Sequence, residues 1–177
     1  PDWFSRFFAV TALVIVALWT GAELTNQENS ASVLAVGVVL VAATFALTTL
    51  HLQRLSKRPK LDSVQLLWRV ALLSTLVACA LWLLSRVFDT LNSWQGWPLL
   101  FGTLVLFGGF MSVIIGMLYK IVPFLAWLHM QNCSSGQTPA PNMNRILPEA
   151  DMQRQVKAHA LAVAMLLAAV ADRKSVV

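Results

Sequence analysis

Charge is what this chain has least of. Asp, Glu, Lys and Arg make up 12% of its 177 residues, and hydrophobic residues make up 58%, whereas soluble domains carry about a quarter charged residues. Such a chain is excluded from the ordinary soluble class and is an integral membrane protein. Its formal charge of +5 is sorted by loop rather than spread over a face, which points to orientation in a bilayer and not to nucleic acid. Only two cysteines are present, Cys79 in an apolar segment and Cys133 in a loop, so a disulfide framework is excluded. Gly-rich phosphate loops, paired intramembrane carboxylates, activated nucleophiles and HxxxH or HExxH spacings are all missing. A hydrolase or ATPase reading therefore has nothing to stand on, and no catalytic motif is visible. There is no fixed-period repeat and no low-complexity segment.

What is present is a succession of apolar runs. A spanning helix needs about 20 mostly apolar residues, and complete spans are expected at 4–22, 32–52, 64–88 and 97–122. A further run at 156–171 is short for a ~30 Å core and reads as a truncated fifth span. The fold class is thus all-α, a polytopic transmembrane bundle forming one domain over 1–171. The ends read as cut: the chain starts at Pro1 rather than Met. No small-x-small cleavage site lies near Thr20 to Glu23, so the first run is a retained span. The closing hexapeptide Asp172 to Val177, DRKSVV, resembles the translation of a common sequencing adapter and is read as a non-native tail.

Orientation follows from the loops. The link after the second span holds Arg54, Lys57, Arg58 and Lys60, while the first link holds Glu23 and Glu28 with no basic residue. By the positive-inside rule the basic loop and the N-terminus are cytoplasmic, and Arg145, Arg154 and Lys157 in the last loop agree. Trp3, Trp68 and Trp127 then lie toward the inner surface and Trp19, Trp82, Trp94 and Trp97 toward the outer, as indoles at membrane interfaces do. Pro59 ends the second helix, and Asp62 or Ser63 is the expected cap of the third. Arg69 and Arg86, near opposite ends of the third span, are expected to snorkel outward. Glu149 and Asp151 read as loop residues.

Within the fourth span Gly108, Ser112 and Gly116 recur every fourth residue, with Gly102 and Gly109 nearby. In lipid, where burial gives helices no reason to associate, small residues mark close helix contacts. This face is therefore read as a helix–helix interface; the alternative is room for a flat cofactor. Further on, Lys120 can snorkel and Pro123 is expected to kink or end the helix, which places Phe124 to His129, with Trp127, in or near the interface.

The run GMLYKIVPFLAWLH, Gly116 to His129, resembles a segment of bacterial polytopic proteins of the haem-copper oxidase subunit I-like group. There a helix ends in a similar pattern, carried here by Tyr119, Lys120, Pro123, Phe124, Leu125, Trp127 and His129, before a loop and another helix. Asn142-Met-Asn-Arg-Ile-Leu-Pro-Glu149 resembles the later part of that loop, and the match spans about Trp97 to His159. The resemblance implies a bacterial inner-membrane protein in respiratory or redox chemistry, with haem or copper as cofactor. One departure stands out: the group often carries a histidine where this chain has Leu104 or Val105. Haem ligation in this group depends on intramembrane histidines, so a complete haem site is not expected within these residues.

The three histidines, His51, His129 and His159, all fall toward the cytoplasmic ends of their spans on this threading. They form the candidate cofactor set, since imidazole serves haem, copper and zinc; the plain alternative is three interfacial polar residues. Two other classes stay open. A transporter or permease would show discontinuous helices around a mid-membrane cavity. A non-catalytic subunit, partnered by lipid and other membrane subunits, would use the small-residue face for assembly.

Overall fold

The structure is a computed structural model that describes residues 2–55, 62–133 and 147–172. The basic residues Lys57, Arg58 and Lys60, with Pro59, lie outside the described residues, as do Arg145 in the last loop and residues 173–177 of the expected 172–177 tail, whose Asp172 ends the last helix. The described residues are helical, with no strand among them. Helix α1 (Asp2–Leu24) and α2 (Glu28–Leu55) form a hairpin, followed by α3 (Ser63–Val87) and the single turn α4 (Asp89–Asn92). The fourth span is continuous but changes character along its length: α5 (Trp97–Thr103), a π-helical segment (Leu104–Met111), then α6 (Ser112–Cys133). Helix α7 (Glu149–Asp172) closes the chain. Among the described residues five helices are long and apolar enough to cross a membrane.

Several boundaries differ from the expected ones, each for a physical reason. The fourth span neither ends at Val122 nor stops at Pro123, but runs to Cys133, so Cys133 closes a helix instead of lying in a loop. Pro123 removes one backbone donor, which a long apolar helix tolerates when its neighbours pack around the defect, and Pro123 is itself buried. The last helix starts at Glu149, not near residue 156, and its 24 residues give it the length of a full span. Gln153, Arg154, Gln155 and Lys157 lower the hydropathy of its first turns yet are good helix formers, so a window tuned to lipid misses turns that the backbone forms readily. Glu149 and Asp151 are therefore first-turn residues, where acidic groups meet the positive end of the helix dipole.

The α1–α2 turn is local chemistry. Asn26 adopts a left-handed backbone at φ 52°. The Gln27 N–H donates to the Ala22 carbonyl at 3.1 Å and the Asn26 N–H to the Glu23 carbonyl at 3.2 Å. This is the Schellman termination, and Asn, after Gly, accepts its left-handed position best. The hairpin itself is tied by small residues and rings: Gly37 faces Ile15, and Phe8 stacks on Phe45 with centroids 6.0 Å apart.

Helix α3 is the hub, packed by α2, the π segment, α6 and α7, and it carries the largest buried set, including Leu67, Ala71, Leu72 and Ala78. Two polar contacts fix its neighbours' directions. The Arg86 guanidinium near its C-terminus donates to Ser32 Oγ near the start of α2 at 3.2 Å, so α2 and α3 are antiparallel. Ser63 at its N-terminus bonds Glu149 at the start of α7, so α3 and α7 run in parallel. The C-terminal end of α2 and the N-terminal ends of α3 and α7 therefore share one side of the bundle.

Candidate functional site

The small-residue face of the fourth span packs on α3, and the π segment sets how closely. Gly108, Gly109, Ser112 and Gly116 are all buried. A Cβ built on Gly108 would fall 2.5 Å from Ser74 Oγ and 2.6 Å from Ser74 Cβ, whereas one on Gly116 would find Leu67 and Trp68 at 3.6–3.7 Å. At Gly109 the nearest α3 atom would be Thr75 Oγ1 at 3.8 Å. A π-helix carries more residues per turn than an α-helix, so consecutive glycines both reach the α3 surface. Helix–helix packing is thus the reading the geometry supports for Gly108, Ser112 and Gly116. Gly102, by contrast, has open space around it.

At the end of the π segment a polar link joins Ser112 of the fourth span to His159 of α7. Ser112 is completely buried, and its Oγ lies 2.8 Å from His159 Nε2, with donor and acceptor set by the imidazole tautomer. Helix α7 aims His159 inward because Val156, Val163 and Val170, each buried, recur every seventh residue and so form a seam facing the bundle. His159 stands between the first two of these. It lies about 15 Å from the start of α7 at about 1.5 Å of rise per residue, well inside the helix rather than at its end.

That position separates the candidate histidines. His129 is on the same continuous helix as Ser112, about 25 Å farther along it at about 1.5 Å per residue, and is exposed near the helix end. His51 is exposed near the end of α2. The structure therefore does not bring His129 and His159 to one centre. Among the described residues no three His, Cys, Asp or Glu side chains are grouped to hold a metal ion. Tyr119 is half-buried, and its hydroxyl has no hydrogen-bond partner among the described residues. Lys120 is exposed, and Trp127 is half-buried with its ring 6.4 Å from that of Phe124.

Comparison of this chain with protein-family models, with curated proteins and with solved structures finds no match.

Sequence reasoning missed the role of Glu149. Asp62 occupies the cap position of α3 with extended backbone but makes no side-chain cap bond. Instead Glu149 accepts from both the Ser63 N–H, at 3.0 Å, and the Ser63 hydroxyl. A carboxylate supplied from another helix thus satisfies a donor that α3 cannot satisfy internally. The signal was local: Pro148 followed by Glu149-Ala-Asp151 is a helix-start pattern, although its partner is 86 positions away in sequence.

Beside its contact with the fourth span, α3 also borders an open apolar space. An apolar trough of about 590 Å³ runs between α2, α3 and the fourth span. Its floor is the α3 stripe Trp68, Leu72, Thr75, Cys79 and Trp82, and its walls include Val39 and Phe45 from α2 and Phe110 from the fourth span. Cys79, a buried free thiol, points its Sγ at the Val39 carbonyl at 3.8 Å across the α2–α3 contact.

Proposed function

We propose that this chain is a membrane-embedded helical module of a redox-associated protein in the bacterial inner membrane, of the haem-copper oxidase subunit I-like kind. Its own residues build helix framework rather than a haem or copper centre. The observation that carries the framework role is the close seating of Gly108 on Ser74, flanked by the buried Ser112–His159 link. The donor set does not fit a metal: His159 Nε2 is engaged by Ser112, and His129 sits about 25 Å along the helix at about 1.5 Å per residue. Ligands for any haem or copper would come from outside these residues. The redox association rests on the Gly116 to His129 resemblance alone.

The orientation belongs to the same proposal. With the basic loop after α2 inside, the shared end holding Ser63 and Glu149 is cytoplasmic, and exposed Arg154 and Lys157 on α7 lie toward that side. Cysteines placed at Ser56 and Gln27 should label from opposite faces of the membrane, and periplasmic labelling of both would reverse the threading. The framework role is tested by purifying the chain with haem and copper supplied during expression. The expected result is neither a stoichiometric Soret band nor stoichiometric copper; a stoichiometric haem lost in His129→Gln would overturn it.

One observation favours a second reading, a transporter or permease. The fourth span is irregular in its middle, over Leu104–Met111, directly beside an intramembrane histidine, and such features line transport pathways. Proteoliposome flux that is abolished in His159→Gln, with the fold retained, would select that reading over the framework one.

A further inference from the structure

One end of the apolar trough meets an oriented cation. Its α3 floor follows helical spacing from Trp68 through Leu72, Thr75 and Cys79 to Trp82. The next residue on that stripe, one turn beyond Trp82, is Arg86. The Arg86 guanidinium carbon lies 4.6 Å from the centre of the Trp82 ring, and Nη1 donates to Ser32 on α2 at 3.2 Å. A guanidinium has five N–H donors in a planar fork suited to phosphate, so the link to Ser32 orients the group while leaving donors for a ligand. From Trp68 to Trp82 the floor is about 21 Å long at about 1.5 Å per residue, longer than one leaflet's half of a hydrocarbon core of about 30 Å.

An apolar channel of that length with an oriented guanidinium beside its Trp82 end is complementary to an anionic lipid. We propose that the trough is a binding site for an anionic phospholipid, with one acyl chain lying along α3 and the phosphate on Arg86. The Trp82 indole sits at the junction, its face under the guanidinium and its edge in the trough. The Ser32-oriented guanidinium places the phosphate at the Trp82 end, and the small side chain at Ala42, on the α2 wall, gives the acyl chain its room. This inference is independent of any redox or transport role.

The test is native mass spectrometry of the detergent-purified full chain, titrated with phosphatidylglycerol and phosphatidylcholine of identical acyl chains. Phosphatidylglycerol should be retained about fivefold better, the ratio expected from one basic residue acting on an anionic headgroup. Arg86→Gln should remove that preference and Arg86→Lys should keep most of it, while Ala42→Leu, which fills the trough, should weaken both lipids. Unaltered thermal melting of each lipid-free variant checks that it is folded. Equal retention of the two lipids by the wild-type chain, which requires no variant, would overturn the proposal. So would a preference that survives Arg86→Gln, or binding untouched by Ala42→Leu, since an arginine that merely snorkels beside bulk lipid predicts those results.

Discussion

Replacing Gly108 by Ala adds a single methyl group, and the structure predicts that this methyl has nowhere to go. It would sit 2.6 Å from Ser74 Cβ, while non-bonded carbons rest about 3.5–4.0 Å apart. Turning the Ser74 hydroxyl away relieves the 2.5 Å approach to Oγ but not the approach to Cβ, which is fixed to the α3 backbone. The fourth span must therefore back away from α3 by about 1 Å, a strain of the kind that costs about 1–3 kcal/mol in packed interiors. The same substitution at Gly116 meets Leu67 and Trp68 at ordinary contact distance. There Ala should be neutral or stabilising by about 0.5–1 kcal/mol, because Gly is the poorer helix former. Equilibrium unfolding in mixed micelles, followed by circular dichroism, should rank Gly116→Ala at or above wild type and Gly108→Ala clearly below it. Leu106→Ala, on an exposed face, serves as the lipid-facing control. Adding Ser74→Gly to Gly108→Ala should restore most of the loss, whereas adding Ser74→Ala should not, because its Cβ remains. If Gly108→Ala and Gly116→Ala unfold alike, the close seating of the π segment on α3 is wrong.

The Ser112–His159 link should show a coupling of about 0.6 kcal/mol in a double-mutant cycle of Ser112→Ala and His159→Leu, the average for hydrogen bonds between membrane helices; zero coupling would mean the two side chains do not meet. Glu149→Ala should destabilise by about 1 kcal/mol through loss of the α3 cap, with Ser63→Ala costing less because the Ser63 N–H keeps its acceptor. Amide exchange over the first turn of α3 checks this, and unchanged protection in Glu149→Ala would refute it. Asn26→Gly should be tolerated, and Asn26→Val should destabilise the α1–α2 hairpin by about 1–2 kcal/mol, because a β-branched residue is strained at positive φ; equal melting temperatures for the two variants would contradict the assigned turn.

The sequence by itself determined the helical class, the positions of the apolar spans and the small-residue face, because each depends on neighbours along the chain. Hydropathy over about 20 residues reports on a bilayer, and fourfold spacing reports on one side of a helix. The Gly108, Ser112 and Gly116 face was legible for that reason. Which helix it meets was not, since nothing local to the fourth span names Ser74, Leu67 or Trp68 as the opposing surface. Local rules also misplaced boundaries where two tendencies compete. Pro123 weakens a helix that neighbouring packing nonetheless sustains, and the polar first turns of α7 lower hydropathy without opposing helix formation.

Tertiary structure alone decided which polar groups meet. His51, His129 and His159 looked alike on a linear threading that placed each near a helix end. Once α7 begins at Glu149, His159 moves inward, against Ser112, and away from the other two. Glu149 read as a loop acid until it reached the start of α3. Arg86 read as a snorkelling residue until the packing of α2, α3 and the fourth span put a trough beneath it. In each case the side chain's role depends on a partner distant in sequence, and hydrogen bonds and cavities are properties of pairs of surfaces that no single helix carries.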